Sequence, residues 1–297
     1  MSRTAAEIAT QPACWHRAAD AASAFDGLPK PGERVAVTGC GTSWFMAIAY
    51  AALREAAGQG ETDAFASSEF PAGRKYDRVV AITRSGTTTE VLELLGELKG
   101  VVPTTALTAD PKTPVMDAAD SVAVLDWADE ESVVQTRFAT TALAFLRAGL
   151  GDIPGVKSIA DAAVDAELAV TEPLPASVVA AEQWTFLGRG WTYGLALEAA
   201  LKMREAAGAW TESYPAMEYR HGPISITGPG RVAWMFGVLP EGLAGDVARV
   251  GGELVAREEL DPLADLVRAQ RLAVALAESR GFDPDRPRNL TRSVILS

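Results

Sequence analysis

The sequence predicts an α/β protein of two similar units, each a mainly parallel sheet flanked by helices in three layers, paired as a pseudo-twofold duplication with the second unit shortened. Three observations carry this. Short apolar runs of strand length alternate with segments of helical period. The chain, at 297 residues with 48% hydrophobic and 22% charged, has material for one large core or two ordinary ones. One local pattern, a strand, a glycine loop and a helix start, occurs as G-C-G-T-S-W at Gly39 and returns as G-R-G-W-T-Y at Gly188, about half a chain later. The expected division is a lead helix and first unit over 1–155, a connecting helix and linker over 156–177, and a second unit with a C-terminal tail over 178–297.

Ala5 to Phe25 is alanine-rich, with Ile8, Trp15, Ala18 and Ala22 at helical intervals, and predicts one amphipathic lead helix. His16 lies beside Trp15 with nothing nearby to complete a site, so it is assigned to packing or surface. Arg34 to Thr38 predicts a strand and Trp44 to Ala57 a helix. Val79 to Thr83 predicts a second strand, followed by the polar turn R-S-G-T-T and a helix over Thr89 to Leu98. Further strands are expected at Thr104 to Thr108 and Ser121 to Leu125, then a helix over Thr136 to Ala148 ended by Gly149 and the following G-D-I-P-G. Ile159 to Ala169 predicts the connecting helix and T-E-P-L-P the linker. The second unit opens on a strand ending at Leu187 and a helix over Tyr193 to Ala207. After a further strand-like stretch and His221 come strands at Val232 to Val238 and Glu253 to Ala256 and a helix at Leu263 to Ser279. Its sheet is expected to have fewer strands than the first.

Composition excludes several classes. A net charge of -12 and a pI near 4.8 repel polyphosphate, and no basic run with interleaved aromatics is present, so nucleic acid is not an expected partner. The amino end lacks an apolar signal core and no apolar run reaches membrane-spanning length, which predicts a cytoplasmic protein without a membrane partner. Cys14 and Cys40 have no metal-ligand spacing and are expected as reduced thiols. No metal and no cofactor is implied: neither glycine loop has the third glycine of a dinucleotide fingerprint or the G-K-[ST] of a nucleotide loop, which weakens an oxidoreductase reading.

Two places carry chemistry. The helix starts after Gly41 and after Ser85 each gather hydroxyls, Thr42 and Ser43 in one, Thr83, Ser85 and Thr88 in the other, next to free backbone N–H groups. Either alone is an ordinary Ser or Thr cap. On neighbouring parallel strands they converge at the carboxyl edge of a sheet, where open α/β folds bind ligands. The second place is the helix holding Glu198, Lys202 and Glu205, whose spacing puts two carboxylates and an ammonium on one face. On spacing alone a solvated Glu-to-Lys ladder is the favoured reading. His221, in a turn-forming H-G-P that a loop can return toward the helix start, turns the reading toward acid–base chemistry.

The strings A-L-E-x-A-L-K-x-x-E, E-x-x-H-G-P and P-R-N-L-x-x-S-V, with C-G-T-S and the S-G-x-T of the second loop, resemble the sugar isomerase (SIS) family. The likeness is to the isomerase half of the glucosamine-fructose-6-phosphate aminotransferases and to stand-alone two-SIS isomerases and deaminases. It covers nearly the whole chain and thins between Pro229 and Gly281. The resemblance implies that Thr42, Ser43, Thr83, Arg84, Ser85 and Thr88 hold a sugar phosphate, with Arg84 where relatives carry an uncharged amide. Gly41, Val133, Gln135, the adjacent Thr136 and Arg292 are implied as further substrate contacts. It implies catalysis by Glu205 and His221, with Glu198 and Lys202 beside them.

The ligand implied is a sugar phosphate or amino-sugar phosphate, and the working form a homodimer with its active site near the subunit interface. The reaction implied is aldose–ketose isomerisation or amino-sugar-phosphate deamination; the alternative is a non-catalytic sugar-phosphate sensor. Two departures matter. Within this sequence only about thirty residues precede the first strand, so glutamine is not expected as an ammonia source. The family's lysine after P-R-N-L-x is Arg292, which cannot form a Schiff base.

Overall fold

The computed structural model describes residues 1–296. In chain order its helices and strands are α1 (Arg3–Ala9), α2 (Gln11–Ser23), β1 (Val35–Gly39), α3 (Thr42–Ala56), β2 (Thr62–Ala66), β3 (Arg78–Ile82), α4 (Thr89–Leu98), β4 (Thr104–Thr108), α5 (Val115–Ala118) and β5 (Ser121–Val124). The chain continues through α6 (Arg137–Ala148), α7 (Ile159–Ala169), α8 (Ala176–Val179), β6 (Gln183–Gly188), α9 (Thr192–Ala207), β7 (Thr211–Pro215), β8 (Arg231–Met235), α10 (Leu243–Arg249), β9 (Glu253–Ala256) and α11 (Pro262–Ser279). Every strand pair is parallel. The first sheet has the order β2-β1-β3-β4-β5, and the second, β7-β6-β8-β9, repeats its first four places and lacks the fifth. The α/β duplication and the shortened second sheet are therefore as the sequence predicts.

The residues form two compact units that are not continuous in the chain. One contains Thr10–Glu131, Gln135–Ala160 and the chain end from Thr291; the other contains Met1–Ala9, Ser132–Val134 and Asp161–Leu290. In the unit of the first sheet, β1, β3 and β4 are buried on both faces, which is why β1 and β3 read as near-continuous apolar runs rather than alternating ones, while β4 places threonines among its buried residues. Ala81 and Ala106 on one face meet Val91 and Leu95 of α4 and Val115 of α5. Elsewhere in that unit α6 packs on α2 and α3, fixed by Trp15, whose ring nitrogen donates to Thr140 Oγ1 at 3.1 Å. In the unit of the second sheet, Leu187, Ala233 and Met235 pack with Leu243 and Val247 of α10. Trp234, one residue out of phase, donates to Asp265 of α11 at 2.8 Å.

Four expectations change. The lead helix is two helices, because the chain bends at Thr10 and Pro12, which has no N–H to offer, stands in the first turn of α2. β2 and α10 were not legible as elements: β2 pairs only with β1 and its T-D-A-F-A lacks an apolar run. The strand expected to reach Val238 stops at Met235, since Gly237 takes φ 79° and Val238 is exposed. Other boundaries move by one or two residues, the ordinary uncertainty of frayed ends.

Candidate active site

The hydroxyl loops lie in the unit of the first sheet and leave it side by side, because β1 and β3 are neighbours with Gly39 opposite Ile82. Gly39 is required by close approach: a Cβ there would stand 2.7 Å from that of Ser43. This brings the strand end onto the first turn of α3, where Thr42 and Ser43 are buried, and Gly41 takes φ 55° just before it. In the second loop Thr83, Arg84 and Ser85 are all under 10% exposed. Gly86, at φ 62°, has Thr113 packed where any side chain would go. Thr108 and Ala109 both donate to the Arg84 carbonyl, which pins the loop to β4. Thr83 Oγ1 is buried with no hydrogen-bond partner among the described residues, a donor that an anion would satisfy.

Ser85, Thr87 and Thr88 turn their hydroxyls toward one point. Ser293 Oγ stands there, 3.2 Å from Ser85 Oγ, 3.0 Å from Thr87 Oγ1 and 3.5 Å from Thr88 Oγ1. Arg84 Nη2 donates to the Arg292 carbonyl at 3.1 Å, and its Nη1 lies 3.8 Å from Glu130 Oε2. Glu130 in turn accepts at Oε1 from the backbone of Thr136 and Arg137 and from the Thr136 hydroxyl, each at 2.7 Å, at the start of α6. Arg292 pairs with the Asp129 carboxylate and donates to the Glu130 carbonyl. Gln135 Nε2 is buried without a partner among the described residues, whereas Val133 belongs with the other unit. Sequence reasoning singles out neither Thr87 nor Ser293 nor Asp129 nor Glu130. Ser293 is the serine of the P-R-N-L-x-x-S-V string, but nothing local to that string says which hydroxyls two hundred residues away it meets.

The second constellation lies in the unit of the second sheet. Gly188 is forced, since a Cβ would meet the Thr192 carbonyl at 2.3 Å, and Gly190 has φ 58°. The Arg189 N–H donates to Thr192 Oγ1 at 2.8 Å, and α9 runs to a left-handed Gly208. Along it Glu198 and Lys202 are buried, with Lys202 Nζ 3.6 Å from Glu198 Oε1 and hydrogen-bonded to Glu205 Oε2. The solvated-ladder reading is thereby removed. Glu205, with 18% of its side chain exposed, reaches a cavity of ≈ 570 Å³ lined also by Arg204, Arg280, Phe282, Arg286 and Arg288. His221 ends a tight turn at Glu218–His221 and is exposed, while Tyr219 is buried and Arg220 donates to Asp246 at 2.7 Å. His221 makes no hydrogen bond or ion pair with Glu198, Lys202 or Glu205. Among the described residues no three His, Cys, Asp or Glu side chains cluster as metal ligands, and Cys14 and Cys40 are unbridged. Among them, too, no helix is long and apolar enough to cross a membrane.

No protein-family model matches the chain. It is 27% identical over 298 residues to the glutamine–fructose-6-phosphate aminotransferase (isomerizing) of Sulfurisphaera tokodaii, covering 90% of this chain and 51% of that protein. To that of Listeria monocytogenes it is 28% identical, covering 89% and 52%. The chain thus spans about half the length of the curated relatives it matches. Among solved structures, the glucosamine-6-phosphate deaminase of Thermotoga maritima superposes with a TM-score of 0.83 at 24% identity, covering 99% of this chain and 100% of that one. The tagatose-6-phosphate ketose/aldose isomerase of Escherichia coli gives a TM-score of 0.77 at 18% identity, covering 100% and 96%. The resemblance to the SIS family holds in sequence and in fold. The likeness in fold covers 99% of the chain and so extends over both sheets.

Proposed function

We propose that the chain is a phosphosugar enzyme that moves a proton between adjacent carbons of a hexose phosphate or amino-hexose phosphate, as an aldose–ketose isomerase or a deaminase. The observation that carries this is Glu205, a carboxylate held by a buried lysine at the wall of a cavity. A fixed, partly exposed carboxylate is what a general base for a carbon acid requires. The hydroxyl loops around Ser85 and Ser43 supply neutral donors and helix-start N–H groups for the phosphate.

In this reading His221 opens the sugar ring, moving a proton from the anomeric hydroxyl to the ring oxygen. Glu205 then takes the proton from carbon 2, and Lys202 keeps the carboxylate in place while negative charge passes to the enediolate. Return of the proton to carbon 1 gives the ketose. With an amine at carbon 2 the same transfer gives an imine; water adds to it and ammonia leaves, so the ketose phosphate forms without an enzymic Schiff base. Arg292 in place of a lysine is consistent with that route. The test is deuterium exchange at carbon 2, followed by NMR with a panel of hexose and amino-hexose phosphates. Glu205→Gln is expected to lower exchange by at least about two orders of magnitude while thermal stabilisation by the same ligands persists. Full exchange in that variant would sink the assignment, and stabilisation without exchange in the wild-type chain would favour a sensor.

A further inference from the structure

The start of the chain's last segment lies on the hydroxyl loop, and two arginines hold it there. Arg84 is buried at 4% exposure and faces the fully buried Glu130 carboxylate; Arg292, about one-third exposed, faces the Asp129 carboxylate. The two guanidinium groups are also joined through the chain, Arg84 donating to the Arg292 carbonyl and Arg292 to the Glu130 carbonyl. Each guanidinium faces a carboxylate, Arg84 that of Glu130 and Arg292 that of the adjacent Asp129. Beyond Ser293 the segment is held at the first residue of α4, where the Thr89 N–H donates to the Val294 carbonyl at 3.3 Å and the Leu296 N–H to Thr89 Oγ1 at 2.9 Å.

The consequence falls on Ser293. A hydroxyl accepts at two lone pairs and donates once, so three surrounding hydroxyl oxygens use all it has. That is the environment of a small polar ligand rather than of a surface serine. A phosphate oxygen, which accepts only, would take donors from Ser85, Thr87 and Thr88 at the same point. Two oxygens cannot share one seat, so a phosphate that makes these three contacts must move Ser293 out.

We propose that Arg84, Arg292, Asp129 and Glu130 form a latch that seats Ser293 in the anion position of the Ser85 loop, so that a phosphate must displace the chain's own hydroxyl to bind. The displacement rests on the phosphate reading of that loop; the latch does not. Arg84 and Arg292 are positioning residues here: their charge is directed at carboxylates and acts on the ligand through the tail.

Hydrogen–deuterium exchange on the full chain, without ligand and with inorganic phosphate, separates these parts. Without ligand, the C-terminal peptide is expected to exchange at least about tenfold faster in Asp129→Asn and Arg292→Met than in the wild type, with Arg292→Lys restoring most of the protection. Equal exchange in all four overturns the latch. Phosphate is expected to speed exchange of the wild-type tail and to bind Asp129→Asn several-fold more tightly, because the competing seated state is less populated. Slower tail exchange with phosphate, or weaker binding by Asp129→Asn, shows the tail closing over the anion and overturns displacement. Ser85→Ala is the control for the loop. If it and the wild type are both blind to phosphate, the cradle reading and the displacement fall together, while the ligand-free exchange decides the latch by itself.

Discussion

Lys202 stands between two carboxylates with 1% of its side chain exposed, and removing it leaves charge in a place where water cannot compensate. Lys202→Met is therefore expected to cost roughly 3–5 kcal/mol, the scale for breaking a buried ion pair, measured by urea unfolding. Glu205→Gln keeps a hydrogen-bond acceptor for Lys202 and is expected to leave stability nearly unchanged while removing turnover. Ser85→Ala is expected to weaken phosphate binding with a smaller effect on the chemical step, as loss of uniform binding does. The Glu–Lys–Glu spacing was legible in the sequence, but its burial was not. Spacings of three and four residues are the same on a solvated face and a buried one, and only the packing of α9 against α11 distinguishes them. Arg84 shows the same limit. A cation next to a serine loop reads as an anion grip until Glu130, distant in sequence, is found at its guanidinium.

At the scale of elements, the start of α1 is tied by the Asp285 side chain, while Glu7 further along accepts from the Ser132 N–H and hydroxyl. Asp285 accepts from the backbone of Arg3 and Thr4 and from the Thr4 hydroxyl, each at 2.8 Å, and so caps the start of α1 from the far end of the chain. Partial burial pushes the Asp285 carboxyl up, but the backbone donors of Thr4 and Arg3 and the Thr4 hydroxyl outweigh it and hold it below the ordinary aspartate value. A carboxyl depressed in the folded state stabilises above its unfolded pKa, near about 4, and that stability is lost as pH falls through the folded value. Asp285→Asn is expected to cost about 1 kcal/mol at neutral pH. The gap to wild type in denaturant melts should close on acidification; a gap constant down to acid pH would mean that the charge contributes nothing. Periodicity located most elements to within two residues, because β1, β3, β4, α4 and α7 are each defined by their own apolar pattern. It failed for β2 and for the break at Thr10. An edge strand needs little apolar sequence, and a helix break depends on where the two segments dock.

For the whole molecule, the expected working form is a homodimer, to which an exposed His221 can contribute across the interface; a monomer at micromolar concentration by light scattering would count against that. Ligand class has its own test in thermal shift. A hexose 6-phosphate at a hundred times its Kd should add about 2.7 kcal/mol of stability, and nicotinamide dinucleotides should add none. The sequence by itself determined the α/β class, the duplication, the shorter second sheet and the two hydroxyl-rich helix starts. All of these rest on repeated local patterns, and local patterns survive in a one-dimensional string. Tertiary structure alone decided that residues 1–9 join the compact unit of the second sheet and the chain from Thr291 joins that of the first. It also decided that Glu198 and Lys202 are buried and that Ser293 meets Ser85. Those outcomes depend on which surfaces find each other across two hundred residues, where the energy lies in burial and hydrogen-bond satisfaction that no local spacing encodes.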